Sequence, residues 1–351
     1  MKTENMKIGV IGAGSWGTAL ADLLAVKGFR VDLWVFEEEV AAQISTEREN
    51  KFFLPGFRLS ENIFPTLDMA EAASGKDLVL LVTPSHVVRE TAVKLSGILD
   101  KDAIVVSASK GIENKTRLTM SGILKQTLGH LKEENLAALS GPSFARDVAM
   151  RFPTVVTAAS ADPQTASVVQ HVFASPYFRV YASQDIIGVE LGGAVKNVIA
   201  IAAGMVDGLG LGLNTRAALI TRGLAEMSRL GIRLGANPLT FSGPAGAGDL
   251  ILTCTGDLSR NHMVGKKIGE GKKLPDILSE MRMVAEGVKT AKSVYNLSRK
   301  VCVDMPISHA IYHILYDGLS PGEALSGLMS RDLRHELDDP VCDGGETLTG
   351  G

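Results

Sequence analysis

The chain has 351 residues, with 36 Lys and Arg against 39 Asp and Glu and a formal charge of −3. That length supports a sizeable core without disulfide or metal staples, and at roughly 150 residues per domain it points to two domains. The near-balanced charge argues against a general nucleic-acid or polybasic-membrane binder. Three cysteines without paired spacing (Cys254, Cys302 and Cys342) suit a reducing cytoplasm rather than a secreted disulfide scaffold.

Taken in chain order, short apolar runs fall at 7–11, 31–35, 78–82, 103–107, 136–139 and 154–158. Stretches with helical spacing, such as 16–27, lie between most of them. Strands alternating with helices predict a mostly parallel sheet, and near-continuous apolar strands predict helices on both of its faces. The first run is too short for the apolar core of a signal peptide. Right after it comes Gly12-Ala13-Gly14-Ser15-Trp16-Gly17, a GxGxxG opening a helix. In this context the first glycine permits the tight turn, Gly14 admits a pyrophosphate, and Gly17 lets helix and strand close together. The anion is then held at a helix N-terminus, and the expected ligand is NAD or NADP.

The second strand ends in Trp34-Val35-Phe36-Glu37-Glu38-Glu39, about 20 residues beyond the last glycine, as the fingerprint expects. A carboxylate here, taken as Glu37 beside Phe36, accepts from the ribose hydroxyls of NAD and repels the 2′-phosphate of NADP. One or more of the three acids also suits the start of the next helix. Lys110 follows the 103–107 run on the ligand edge of the sheet, where it also reads as an ordinary loop lysine. Ser140-Gly141-Pro142-Ser143-Phe144-Ala145 likewise follows a strand and turns backbone amides toward the same crevice, unless it is only a Gly-Pro turn.

Beyond about residue 185 helical periods dominate, as in the stripe Ile220, Leu224, Met227, Leu234. The chain carries 37 glycines, about a tenth of its length against a norm of roughly 7%. Seventeen of them lie between 188 and 271, interleaved with Leu, Ile, Ala and Val, which predicts close backbone packing rather than a linker. The run 186–206 is long and apolar, but Glu190, Lys196 and Asn197 within it predict a buried core helix rather than a membrane span. Burial there lowers the pKa of Lys196 toward the range useful for acid–base chemistry. Snorkelling to solvent and a structural pair with Glu190 are the alternatives, the pair disfavoured by a spacing of six.

Asp249 stands among glycines, the single charge between Arg233 and Asp257. A buried carboxylate there must meet a lysine, a substrate hydroxyl or a helix end. Ser259 is placed to cap a helix, with Arg260 and Asn261 in its first turn, where a phosphate is best held. A capped surface helix with a solvated arginine fits the same spacing. His309 and His313 are four apart but lack the third ligand of a metal site, so no metal is expected. Nothing in the sequence activates Cys254 as a nucleophile.

In order, these segments resemble the NAD(P)-dependent glycerol-3-phosphate dehydrogenases of bacterial type, from the glycine loop to about Glu336. The likeness is carried by Gly12 to Ala19, Leu54-Pro55, Lys110-Gly111, Gly141 to Ala145 and Lys196-Asn197. Asn214-Thr215, Gly246 to Cys254, Ser259-Arg260-Asn261 and Ala285-Glu286-Gly287 extend it. The resemblance implies a Rossmann-type α/β domain over 1–185 and an all-helical substrate domain over 186–337; the tail 338–351 has little to pack with and is expected to be flexible. It implies a cytoplasmic enzyme interconverting dihydroxyacetone phosphate and sn-glycerol 3-phosphate for phospholipid synthesis, and a homodimer. It makes Lys196 the proton acceptor, and Lys110, Gly141, Ser143, Asp249, Ser259, Arg260 and Asn261 the substrate pocket. Ser15, Trp16, Ala145, Val284 and Glu286 become cofactor contacts, joined by Lys110 and Arg260. Many relatives carry Arg or His in place of Phe36, so this chain departs toward NAD. Two other readings stay open: a dehydrogenase of another hydroxy compound, and an NAD-responsive sensor without turnover.

Overall fold

The computed structural model describes residues 6–281, 285–333 and 335–336. Val284 and the tail 338–351, both named above, lie outside the described residues. Eight strands form one sheet: β1 (Ile8–Ile11), β2 (Val31–Trp34), β3 (Ile63–Thr66), β4 (Leu78–Leu81), β5 (Ile104–Ser107), β6 (Leu136–Ser140), β7 (Thr154–Ala159) and β8 (Phe178–Ser183). Their spatial order is β3-β2-β1-β4-β5-β6-β7-β8. Every pairing is parallel except β6 with β7. The sheet is therefore mostly parallel, as expected, with two more strands than the six apolar runs named.

The helices between strands are α1 (Ser15–Val26), α2 (Glu38–Glu47), α3 (Met69–Ala73), α4 (Val88–Leu95), α5 (Met120–Thr127), α6 (Ala145–Ala149) and α7 (Pro163–Phe173). Side chains alternate across a strand, and the core divides accordingly. Ile8, Val10, Leu78, Leu80 and Val106 pack on one face with Leu20, Leu24 and Val169 from α1 and α7. Ile11, Val79, Leu81 and Val105 pack on the other with Val88, Ala92 and Ile123 from α4 and α5. Helices on both faces explain why β1 and β4 are apolar at nearly every position.

After β8 the chain is helical: α8 (Ile186–Gly208), α9 (Gly212–Arg233), α10 (Asp249–Thr255), α11 (Arg260–Gly269), α12 (Leu274–Ser279), α13 (Glu286–Lys300), α14 (Pro306–Tyr316) and α15 (Pro321–Met329). α8 is long and apolar enough to cross a membrane, yet 89% of its most apolar window is buried inside the protein. It is the axis of the second core, built on Val195, Val198, Ile199 and Ala203.

The glycines of this half let helices touch backbone to backbone. A Cβ on Gly204 of α8 would stand 2.0 Å from the carbonyl oxygen of His262 in α11, and one on Gly265 would stand 1.9 Å from that of Ile201. The crossing of α8 with α11 exists because neither helix carries a side chain at the contact.

Candidate active site

Four turns at the carboxyl ends of β1, β2, β5 and β6 carry the sequence-predicted nucleotide and substrate residues. The strand order reverses between β1 and β4, and ligands of open α/β sheets bind in the crevice above such a switch. The three loop glycines do different work there. A Cβ on Gly12, whose φ is +115°, would meet Val82 O at 2.8 Å, and one on Gly17 would meet Gly12 O at 1.9 Å. These two are demanded by packing. Gly14 faces open space, with nothing within 4 Å of a Cβ built there.

Gly14 is also the N-cap of α1, and no side chain caps that helix. Two polar atoms around the loop, Trp16 Nε1 and Thr83 Oγ1 beyond β4 and beside Gly12, are buried without a hydrogen-bond partner. An uncapped helix end with open space above Gly14 suits a pyrophosphate, and the orphaned donors suit the rest of a dinucleotide. Ser15 uses its hydroxyl differently, donating to Phe53 O at 2.6 Å. At the end of β2, Phe36 is 76% exposed and Glu37 is the exposed N-cap residue of α2, with Glu38 and Glu39 in its first turn. The latter two thus serve the helix dipole and leave Glu37 at the strand end. Ala145 opens α6 beyond β6.

The substrate-side residues converge from distant parts of the chain. Lys196, buried halfway along α8, donates to Asp249 Oδ1 at 2.5 Å and to Thr253 Oγ1 at 2.7 Å. Lys110, after β5, donates to Asp249 Oδ2 at 2.7 Å and to Gly141 O at 3.2 Å. One carboxylate, 1% exposed, is therefore shared by two lysines. Asp249 opens α10 directly after a π-helical turn, Pro244–Gly248, which lies against the Gly192 turn of α8. Thr253 was not anticipated, although its spacing of four from Asp249 places it one turn along α10; it donates back to Asp249 O at 2.6 Å.

Burial pulls the Lys196 ammonium down to about 8; Asp249 opposes that fall and Lys110 adds to it. Glu190 takes no part, because its carboxylate accepts from Ser121 N and Oγ. Burial pushes the neighbouring Cys254 thiol up to about 12, which keeps it protonated and inert.

Ser259 caps α11, accepting from His262 N at 3.2 Å. The first intrahelical bond runs from Met263 N to Ser259 O, so the amides of Arg260 and Asn261 precede it at the positive end of the helix. Asn261 is held from two sides, its Nδ2 donating to Asn197 Oδ1 and its Oδ1 accepting from Gly287 N, each at 2.9 Å. The Arg260 side chain reaches solvent, yet the surrounding protein draws its pKa below the ordinary arginine value, with Glu286 opposing the shift. Gly141 has no room for a side chain, since a Cβ would meet Val156 Cα at 2.7 Å; its carbonyl also accepts from Ser143 Oγ at 3.0 Å. Glu286, at the start of α13, is bonded to Ser85, a residue sequence reasoning missed. His309 and His313 stand apart, on Ser298 Oγ and Asp317 respectively.

The geometry thus offers a glycine-lined cradle at a helix start, two lysines on one buried carboxylate, and a capped helix end beside an arginine. Comparison with known proteins gives the same combination a name. Residues 7–166 match the family profile described as NAD-dependent glycerol-3-phosphate dehydrogenase N-terminus, and 185–326 match its C-terminus. The chain is 58% identical over 330 residues to glycerol-3-phosphate dehydrogenase [NAD(P)+] of Citrifermentans bemidjiense, covering 94% of this chain and 98% of that one. It is 55% identical to the protein of the same name from Syntrophobacter fumaroxidans, covering 94% and 97%. Among solved structures, glycerol-3-phosphate dehydrogenase from Coxiella burnetii superposes with a TM-score of 0.89 at 37% identity, over 93% and 99% of the two chains.

Proposed function

Because the chain belongs to the NAD-dependent glycerol-3-phosphate dehydrogenase family, we propose that it interconverts dihydroxyacetone phosphate and sn-glycerol 3-phosphate, with Lys196 moving the proton. The observation that carries this reading is the shared carboxylate: Asp249 holds Lys196 and Lys110 together on the crevice side of α8 and α10.

When bound, the nicotinamide cofactor supplies or accepts the hydride. In the direction of reduction, negative charge develops on the ketone oxygen of the substrate. An ammonium has three N–H donors, and Lys196 spends two of them on Asp249 and Thr253. The third donates to the substrate oxygen and delivers the proton, while Lys110 adds a second positive charge to the same region. In reverse, neutral Lys196 removes the hydroxyl proton. Asp249 keeps both lysines in place and offsets the cost of burying two like charges. Arg260 and the first amides of α11 hold the phosphate, and this remote binding orients the carbonyl.

The nucleotide residues at Gly12, Gly14, Ser15, Trp16, Gly17, Ala145 and Glu286 form the NAD(P) site. Glu37 at the end of β2, with the uncharged Phe36 beside it, favours NAD over NADP, since a second negative charge at the ribose repels. Glycerol 3-phosphate supplies the backbone of phospholipids, and the cysteines without paired spacing support a place in the reducing cytoplasm. An alternative hydroxy-acid substrate has no use for Arg260 at a capped helix end.

Initial rates of NADH and, separately, NADPH oxidation with dihydroxyacetone phosphate test the proposal. Rapid NADH oxidation, little NADPH oxidation and no rate with unphosphorylated dihydroxyacetone are expected. Equal use of both nucleotides would remove the role given to Glu37, and no substrate-dependent rate with either would remove the reaction itself.

A further inference from the structure

A continuous series of contacts runs from the nucleotide half of the protein to the substrate pocket, and the reaction as described makes no use of its first member. Ser85 opens the 3-10 turn Ser85–Val87 beyond β4. Its backbone N–H donates to Glu286 Oε1 at 3.1 Å, and its hydroxyl donates to Oε2. Both carboxylate oxygens are thus taken by one residue, 201 positions away in the chain. Gly111 backs the contact closely, since a Cβ there would lie 2.5 Å from Ser85 Cβ.

On the other side, Glu286 is the first residue of α13 and Gly287 follows it. Gly287 N donates to Asn261, and a Cβ on Gly287 would lie 2.5 Å from Asn197 O. The start of α13 is therefore seated against the start of α11 and against the residue following Lys196. Arg260 precedes Asn261 in the first turn of α11 and Glu286 precedes Gly287 in that of α13, so the Asn261–Gly287 hydrogen bond sets the two charged residues on adjoining helix starts.

We infer that Ser85 is a positioning residue for substrate phosphate: by occupying both oxygens of Glu286 it keeps that carboxylate off Arg260 and leaves the guanidinium for the phosphate. This rests on the phosphorylated substrate proposed above. A carboxylate and a guanidinium pair readily in a bidentate manner, so a released Glu286 competes with an incoming phosphate for the same donors. The nucleotide half thereby sets the affinity of a pocket that it does not itself touch through this turn.

The experiment is steady-state kinetics of Ser85→Ala, with NADH saturating and dihydroxyacetone phosphate varied, beside a thermal melt. Coupling through positioned side chains predicts a KM for dihydroxyacetone phosphate raised about tenfold with kcat within about twofold of wild type. Ser85→Thr restores the hydroxyl and returns KM to the wild-type value. Ser85→Cys, a weak donor of similar shape, gives an intermediate KM and serves if the alanine variant does not fold. An unchanged KM in an active Ser85→Ala enzyme overturns the inference alone. So does a fall in kcat together with a lowered Tm and an unchanged KM, which marks a merely structural serine. A wild-type enzyme that does not reduce dihydroxyacetone phosphate overturns the substrate reading and this inference with it.

Discussion

At the scale of single residues, the proposed chemistry turns on what burial does to one lysine. Desolvation disfavours the ammonium of Lys196, while Asp249, on its other side, favours it, and the balance leaves the group near 8. The two directions of reaction need opposite forms of that group. Reduction needs the protonated amine, so its kcat/KM falls as pH rises through about 8, and oxidation of glycerol 3-phosphate rises through the same interval. Initial rates in both directions from about pH 6 to about pH 10 check the sign, and a reduction rate that climbs through the interval contradicts the assignment. Much of this was legible in the sequence, because a charged residue inside an apolar Gly-rich run must find a partner or a purpose. Lys196 and Asp249 stood out for that reason, although 53 residues separate them. Thr253 did not, since a threonine on a helix is an ordinary residue until its neighbours are known. Ser85 gave no signal at all, and Glu286 entered only through the family resemblance, because their contact exists only once the two halves of the chain are brought together.

At the scale of elements, the helical half depends on glycine-lined crossings. α11 carries Arg260 and Asn261, and it reaches α8 through Gly265 against Ile201 O and Gly204 against His262 O. Gly265→Ala forces backbone apart at that contact. It is expected to destabilise the fold by about 1–3 kcal/mol, seen as a lower denaturation midpoint, and to raise KM by shifting the start of α11. Unaltered stability would mean that the crossing has slack the structure does not show. The excess of glycine between 188 and 271 announced this packing without revealing which helices meet. Strands with continuous apolar character were equally readable. Those at the sheet edges were not: β3 reads Ile63-Phe64-Pro65-Thr66 with one buried residue, and β8 alternates buried Phe178 and Val180 with exposed Arg179 and Tyr181. Edge strands need cover on fewer sides, so they tolerate the proline and polar residues that hide a strand from an apolarity argument.

At the scale of the whole molecule, polar contacts besides the Lys110–Asp249 pair tie the sheet to the helical half. Glu190 of α8 accepts from Ser121 at the start of α5, Glu286 accepts from Ser85, and Asn114 donates to Lys289 O. The first is fully buried, so Glu190→Ala strands the Ser121 N–H away from water and removes its hydroxyl partner. A loss of about 1–3 kcal/mol is expected, measured by chemical denaturation, and a variant as stable as wild type would show that water replaces the carboxylate. In the proposed reaction the larger consequence of joining the halves is catalytic, because the proposed nucleotide cradle belongs to one and Lys196 to the other. The most direct test of the account is the rate of NADH oxidation with dihydroxyacetone phosphate by wild-type protein and by Lys196→Ala under identical conditions. A proton donor at the reacting oxygen predicts an active wild type and a variant slowed by about a thousandfold at saturating substrate. A variant that turns over at nearly the wild-type rate would contradict the central claim, and the proton would have to come from another group.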